Sequence, residues 1–465
     1  MIKNLLFLFS VLLLFSSCKN NKKLDREYTY IGGEIVNPKG DYVIFYKGEQ
    51  FLDSVKLDNN NQFLYKSKGI EAGLYSFMHK EFQVFYIEPL DSLMLRVNTI
   101  DFDESLAFTG DGSERNNFLM DMFLHNEAEI DLMPKLYKLP PLEFEKALDS
   151  LKIIRTNIYN EFVLKENPDE AFKEVAEASI DYDYYSKKEI YITANRRKKG
   201  TGRHFDIPES FYNYRNNIDF GSEILRSYFP YYRFLFRYFD NVAVDENSKY
   251  NKNSFEHNYN KIKIIEQTIT NDSLKNSMVK NIVSRYMLNC NEKENQKKML
   301  ELFLETNTNQ QHKKELIEVA KASMKLTPGH KISNLLLITS ENTLKDLQNI
   351  IKKPTVFYFW STKYVNHYKS IHSRVSELQS KYPEYDFIGI DTDSNYNNWI
   401  SVINKNGYNK ALEYQFNNLS IAEKELVIYS VNKAIIVDEN AVIINGSSNL
   451  FNPNIEETLL GYLNQ

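Results

Sequence analysis

Cysteine is the scarcest reactive residue in this chain, with two among 465 residues, Cys18 and Cys290. Two thiols so far apart exclude a disulfide framework, a C-x-x-C redox pair and a multi-cysteine zinc site. An excess of one charge is lacking too. The 57 Lys+Arg and 62 Asp+Glu leave a net charge of −5, which argues against nucleic acid as a partner. H-E-x-x-H and G-x-S-x-G are absent, so neither a zincin nor that type of serine hydrolase has support. Neither a metal nor a cofactor is called for. What is present is globular: 42% of residues are hydrophobic and 14% aromatic, too apolar for a disordered chain. At roughly 150 residues per domain, the length suits about three domains.

Glycine and proline are missing from long stretches. No glycine occurs from 113 to 199 or from 222 to 328, and no proline from 231 to 327. Helix interiors avoid both residues and turns require them. The chain is therefore expected to be multidomain α+β: an N-terminal β-sandwich, a helical middle region and a C-terminal α/β domain. In the first part, Tyr42–Tyr46, Phe51–Leu57, Phe63–Tyr65, Leu74–His79, Phe82–Glu88 and Ser92–Val97 read as short strands separated by turn residues. In the middle, Phe144, Leu148, Leu151, Ile154, Ile158 and Phe162 recur at helical spacing, and similar faces run through Leu274–Leu288, Lys297–Leu304 and Lys313–Met324. These helices are expected to form one bundle-like region.

The N-terminus carries an address. Met1-Ile2-Lys3-Asn4 is followed by an apolar run from Leu5 and by Phe15-Ser16-Ser17-Cys18, the pattern of a secretory signal too short to span a bilayer. Cys18 after two serines resembles the bacterial lipobox. That resemblance implies a signal peptide at 1–17, an acylated Cys18 that anchors the protein in the membrane, and a polar tether at 18–28. No Asp follows Cys18, which by the same resemblance implies an outer-membrane lipoprotein of the cell envelope facing the periplasm. No second apolar stretch of about 20 residues occurs, so the remainder is expected to be soluble.

From Gly329 the pattern becomes strand, helix, strand. Pro354–Trp360 suits a central buried strand, Ser361-Thr362 can cap a following helix, and Tyr385–Asp391 reads as a second buried strand. Ala434–Val437, Asp438-Glu439-Asn440 and Ala441–Ile444 form a hairpin before an amphipathic helix at Asn454–Leu463. On Phe359-Trp360-Ser361-Thr362, Gly389-Ile390-Asp391, Trp399 and Ile435-Ile436-Val437-Asp438, residues 329–465 resemble the TlpA-like branch of thioredoxin-like thiol:disulfide oxidoreductases. Residues 29–113 resemble the small β-domain that precedes it in envelope lipoproteins, and 114–328 form the helical region between them.

The departures from the family matter most. The resemblance places Tyr364 and His367 at the two redox cysteines, Lys363 at the tryptophan before them, and Asn432 at the cis-proline. Disulfide exchange needs a thiolate and a resolving thiol. A phenol and an imidazole supply neither. The expectation is thus a redox-inactive thioredoxin-like domain, not an enzyme, that binds an unidentified protein or peptide. Its candidate surface is Trp360, Lys363, Tyr364, His367 and Tyr368. Two alternatives remain: residual thiol chemistry through Cys290 or a partner's thiols, and an accessory role in outer-membrane nutrient uptake. Cys290 itself is expected to be a buried apolar residue in a helix. The basic run Arg196–Arg203 reads as a solvated interhelical loop, and the aromatic cluster Tyr228–Phe239 as core.

Overall fold

The computed structural model describes residues 27–197, 205–244 and 251–464. Cys18, the signal segment and most of the Arg196–Arg203 run therefore lie outside the described residues. The chain forms two compact units, Met1–Arg237 and Tyr238–Gln465. The middle helices, expected as one bundle, are divided between them.

Among the described residues of the first unit, eight strands form two sheets: β1 (Thr29–Val36), β2 (Tyr42–Lys47), β3 (Gln50–Lys56), β4 (Gln62–Ser67), β5 (Gly73–His79), β6 (Glu81–Ile87), β7 (Ser92–Asn98) and β8 (Ala107–Gly110). Their orders are β4-β1-β7-β8 and β3-β2-β5-β6. Alternation sends Val43 and Phe45 inward with Ile31, Phe77, Phe85 and Leu93, giving one sandwich core. The β1 strand pairs parallel with β7, a contact the glycine-rich Gly32-Gly33 pair conceals in the sequence. A Cβ at Gly33 would lie 1.9 Å from the Leu95 carbonyl oxygen, and its φ is +151°, so glycine is required there.

The first glycine-free stretch then supplies α1 (Ser113–Ala128), α2 (Pro141–Glu166) and α3 (Glu170–Arg197), and the second begins with α4 (Phe229–Val242), which runs across the boundary at Arg237. Asn116 on α1 accepts from Tyr86 N and donates to Tyr86 O, each at 2.7 Å, tying the helix to β6. Tyr231 and Phe234 pack on Tyr182, with ring centroids 4.8 and 5.3 Å apart, so this part of the aromatic cluster is core. Helices α2 and α3 share a buried ionic cluster. Arg155 donates to Asp183 at 2.9 Å and lies 3.4 Å from Glu129, while Lys187 bonds both carboxylates.

Beyond the end of α4 the second unit holds α5 (Phe255–Thr268), α6 (Asp272–Asn289), α7 (Lys293–Thr306) and α8 (Gln310–Lys325). Ser254, Asn271 and Asn309 cap three of these starts by accepting from the third backbone N–H onward. There follow β9 (Leu336–Ile338), β10 (Leu344–Asp346), β11 (Thr355–Trp360), α9 (Val365–Lys381), β12 (Asp386–Asp391), α10 (Tyr396–Asn406), β13 (Glu413–Phe416), α11 (Leu419–Glu425), β14 (Lys433–Val437), β15 (Ile443–Asn449) and α12 (Ile455–Leu463). The sheet order is β10-β9-β13-β12-β11-β14-β15. Every residue of β11 is buried. Phe357 and Phe359 enter one core with Ile388, Ile390 and Ile435, whereas Val356, Tyr358 and Trp360 enter the other with Phe387 and Ile436. A strand covered on both faces must be apolar throughout, which is why it stood out in the sequence. The short β9, β10 and β13 carry no such signal.

Candidate functional site

Four residues carry the chain from the end of β11 into α9, and Asp393 organises them. Its carboxylate accepts from Ser361 Oγ at 3.0 Å, from Thr362 N and Oγ1 at 2.7 Å, and lies 3.4 Å from Lys363 Nζ. Burial alone would raise this carboxyl, but the bonds from Thr362 and Ser361 and the charge of Lys363 hold it below its ordinary range. Tyr364 occupies the N-cap of α9 without a side-chain capping bond, and its ring is 58% exposed.

One turn on, His367 is half-buried, edge-on to Phe451 at 6.2 Å, and neither ring nitrogen makes a hydrogen bond with a described residue. Burial pushes its pKa down, opposed by the nearby Asn432 carboxamide and reinforced by His372. Asn432 is thus close enough to favour the charged ring but outside hydrogen-bonding geometry. The fold brings His367 and Asn432 together with Tyr364 at the adjoining helix start. It withdraws two residues from the expected binding surface. Trp360 is wholly buried and Tyr368 nearly so, because β11 is covered on both faces and Tyr368 lies on the inward side of α9. Lys363, Tyr364 and part of His367 remain accessible.

Beneath this surface lie two buried carboxyls: Asp391, which the sequence marks only as the end of a buried strand, and Glu413, which it does not mark. Asp391, at the end of β12, accepts at Oδ2 from Gln415 Nε2 at 2.7 Å and Asp393 N at 3.2 Å. Its Oδ1 has no hydrogen-bond partner among the described residues. Burial raises its pKa to about 7. Glu413, on β13, accepts from Tyr358 Oη at 2.8 Å and from Trp360 Nε1 at 2.9 Å, and faces His372 Nε2 at 3.2 Å. His372 Nδ1 lies 2.7 Å from the Tyr368 carbonyl; a carbonyl only accepts, so Nδ1 donates. Tyr408 stacks on the His372 ring at 3.7 Å. One signal for Glu413 was legible. Gly389 sits in a buried strand where a Cβ would lie 2.4 Å from Glu413 Oε2, and such a glycine marks a close approach.

The two positions that the resemblance aligns with redox cysteines hold Tyr364 and His367. Cys290 is the C-cap of α6, half-exposed rather than buried in a helix. Its Sγ lies 3.4 Å from Tyr286 Oη and accepts from Glu292 N at 3.4 Å. The helix ends before it, and that end leaves the thiol only partly covered. Among the described residues no group of three or more His, Cys, Asp or Glu could hold a metal ion, and no helix is long and apolar enough to cross a membrane.

Strand β11 pairs parallel with β12 and antiparallel with β14, β14 pairs antiparallel with β15, and α9 follows β11 directly. This C-terminal fold is thioredoxin-like. Solved structures similar to the chain include a thioredoxin-like protein from Bacteroides caccae, 13% identical, covering 59% of this chain and 93% of its own, with TM-score 0.35. A Bacteroides vulgatus protein provisionally described as a thiol-disulfide oxidoreductase is 20% identical, covering 30% of this chain and 97% of its own, with TM-score 0.26. The thioredoxin domain of a thiol-disulfide oxidoreductase from the same species is 14% identical, covering 30% and 98%, with TM-score 0.24. No family model matches the chain, and no curated protein matches it.

Proposed function

We propose that this is a lipid-anchored cell-envelope protein whose thioredoxin-like domain has left redox chemistry and binds a protein or peptide partner. The observation that carries this reading is the content of the α9 start. An exposed phenol, Tyr364, and a half-buried imidazole, His367, stand where the resemblance would put two thiols. A phenol forms no disulfide, and an imidazole cannot resolve one.

The contact surface is Lys363 and Tyr364, with His367 at its inner edge. Its hydrogen-bonding groups and accessible ring suit a polar, partly apolar contact rather than turnover. Anchoring rests on Cys18, and with a tether it leaves the folded units on one side of the membrane. The full-length protein in detergent tests both parts. It should neither reduce insulin nor oxidise a dithiol peptide catalytically, and Cys18→Ala should release it from the membrane fraction. Chemical crosslinking in envelopes should yield a partner band that weakens when Lys363 and Tyr364 are both changed to Ala. Catalytic dithiol turnover overturns redox inactivity, and unchanged membrane association of Cys18→Ala overturns acylation as the anchor.

A further inference from the structure

A concavity in the Tyr238–Gln465 unit counts Asn432 among its lining residues. It has a volume of about 490 Å³ and is bordered by the α6 end, the loop before β14, strand β15 and the start of α12. Its composition is unusual. Eight of the seventeen lining residues are asparagine and four are serine or threonine, none is a carboxylate, and three are aliphatic. The only charged residue is Lys433, whose ammonium is already committed to the Leu426 and Val427 carbonyls at 2.8 and 3.1 Å. Burial lowers its pKa to about 7, so much of its charge is absent at neutral pH.

The asparagines are held in place by the backbone. Asn445, Asn449 and Asn452 each accept with Oδ1 from the N–H two residues on, at 2.9, 2.9 and 3.0 Å. These Asx turns fix the side chains. They also leave each Nδ2 group without a partner among the described residues. Two lining residues are tied together by a bond from Ser447 Oγ to the Leu288 carbonyl. Close packing at Gly446, where a Cβ would lie 1.9 Å from the Leu326 carbonyl oxygen, holds the same strand. Tyr429, 61% exposed, stands at the rim as an aromatic face.

A preformed surface of uncharged amide donors and acceptors, few apolar subsites and one open aromatic ring has a specific complement. Hydroxyl pairs both donate and accept, as carboxamides do, and a pyranose ring presents a C–H face to a tyrosine. An extended peptide would require apolar side-chain pockets, an anion a firm positive charge, and a metal cation a carboxylate. We propose that this cleft binds a neutral oligosaccharide, with Asn445, Asn449 and Asn452 donating to its hydroxyl oxygens and Tyr429 stacking on a sugar ring. The site shares only Asn432 with the α9 start and does not depend on the partner proposed there.

The test is calorimetric titration of the full-length protein in detergent with maltohexaose, cellohexaose, xylohexaose, mannohexaose and chitohexaose. At least one should bind with a Kd in the micromolar to low-millimolar range. Asn449→Asp keeps the Oδ1 acceptor of the turn and removes the donor, and it should weaken binding about tenfold, the equivalent of roughly one lost hydrogen bond. Tyr429→Ala changes an exposed ring outside any core and should weaken binding by a similar factor if Asn449→Asp does not fold. Lys363→Ala, at the α9 start, should leave sugar affinity unchanged. Absence of binding by the whole panel up to 10 mM overturns the proposal. So does sugar binding that neither cleft variant alters, or capture of unstructured peptides in its place.

Discussion

Replacing Glu413 with Leu probes the physical argument most directly. Leucine nearly conserves volume, so the main change is the loss of one acceptor group. Two fully buried donors, Tyr358 Oη and Trp360 Nε1, then lose their partner, and His372 Nε2 loses its carboxylate. Leaving a buried donor unsatisfied costs about 1–3 kcal/mol, so two cost about 2–6 kcal/mol, a large share of the roughly 5–15 kcal/mol that holds a typical domain folded. With an m-value of about 2 kcal/mol per M urea, a loss near the middle of that range moves the midpoint down by about 2 M. The assay is built into the sequence. The only tryptophans are Trp360 and Trp399, both in the C-terminal core, so tryptophan fluorescence follows this unit alone. Glu413→Gln keeps one carbonyl acceptor and should fall between wild type and Glu413→Leu. A Glu413→Leu midpoint within about 0.3 M of wild type, well inside the cost of even one orphaned donor, would refute the reasoning.

Two further outcomes follow from buried charge. Burial raises the Asp391 carboxyl to about 7, above its unfolded value near 3.9, so the native state holds a proton that the unfolded state has released. Its contribution to stability is therefore fully present below about pH 4, declines as pH rises towards 7 and is lost above that. Asp391→Asn should be more stable than wild type at pH 8 and lose that advantage at pH 4.5, read as the difference between their urea midpoints; a difference independent of pH would contradict the assignment. In the first unit, Arg155→Met leaves Glu129 and Asp183 sharing Lys187, with Arg233 3.5 Å from Asp183. Removing one member of a buried ionic cluster costs about 3–5 kcal/mol, so helical circular dichroism should show an earlier denaturation midpoint, and an unchanged midpoint would show that the cluster relaxes without cost.

Much of the architecture was legible because it rests on local rules. The glycine and proline gaps marked the helices, the alternation in Tyr42–Tyr46 and its neighbours marked the sandwich, and Pro354–Trp360 announced a strand covered on both faces. Strands β1 and β8 were not legible. Gly32-Gly33 looks like a turn until β7 is placed 1.9 Å from the missing Cβ. The division of the middle helices between two units was equally hidden, since helical periodicity tells which face is buried and not what buries it.

By itself the sequence determined how few thiols there are: two cysteines, only one of them beyond the signal-like segment, with Tyr364 and His367 where the resemblance would place a redox pair. The sequence settles this much because the side chain at a given position stays the same in any fold. Only the tertiary structure decided which of the remaining residues meet. It buried Trp360 and Tyr368, set Glu413 against Tyr358, Trp360 and His372, left the Asp391 Oδ1 without a partner among the described residues, and gathered asparagines from both ends of the second unit around one cleft. These depend on contacts across tens to hundreds of residues. Sheet register and helix packing create such contacts, and no local pattern encodes them.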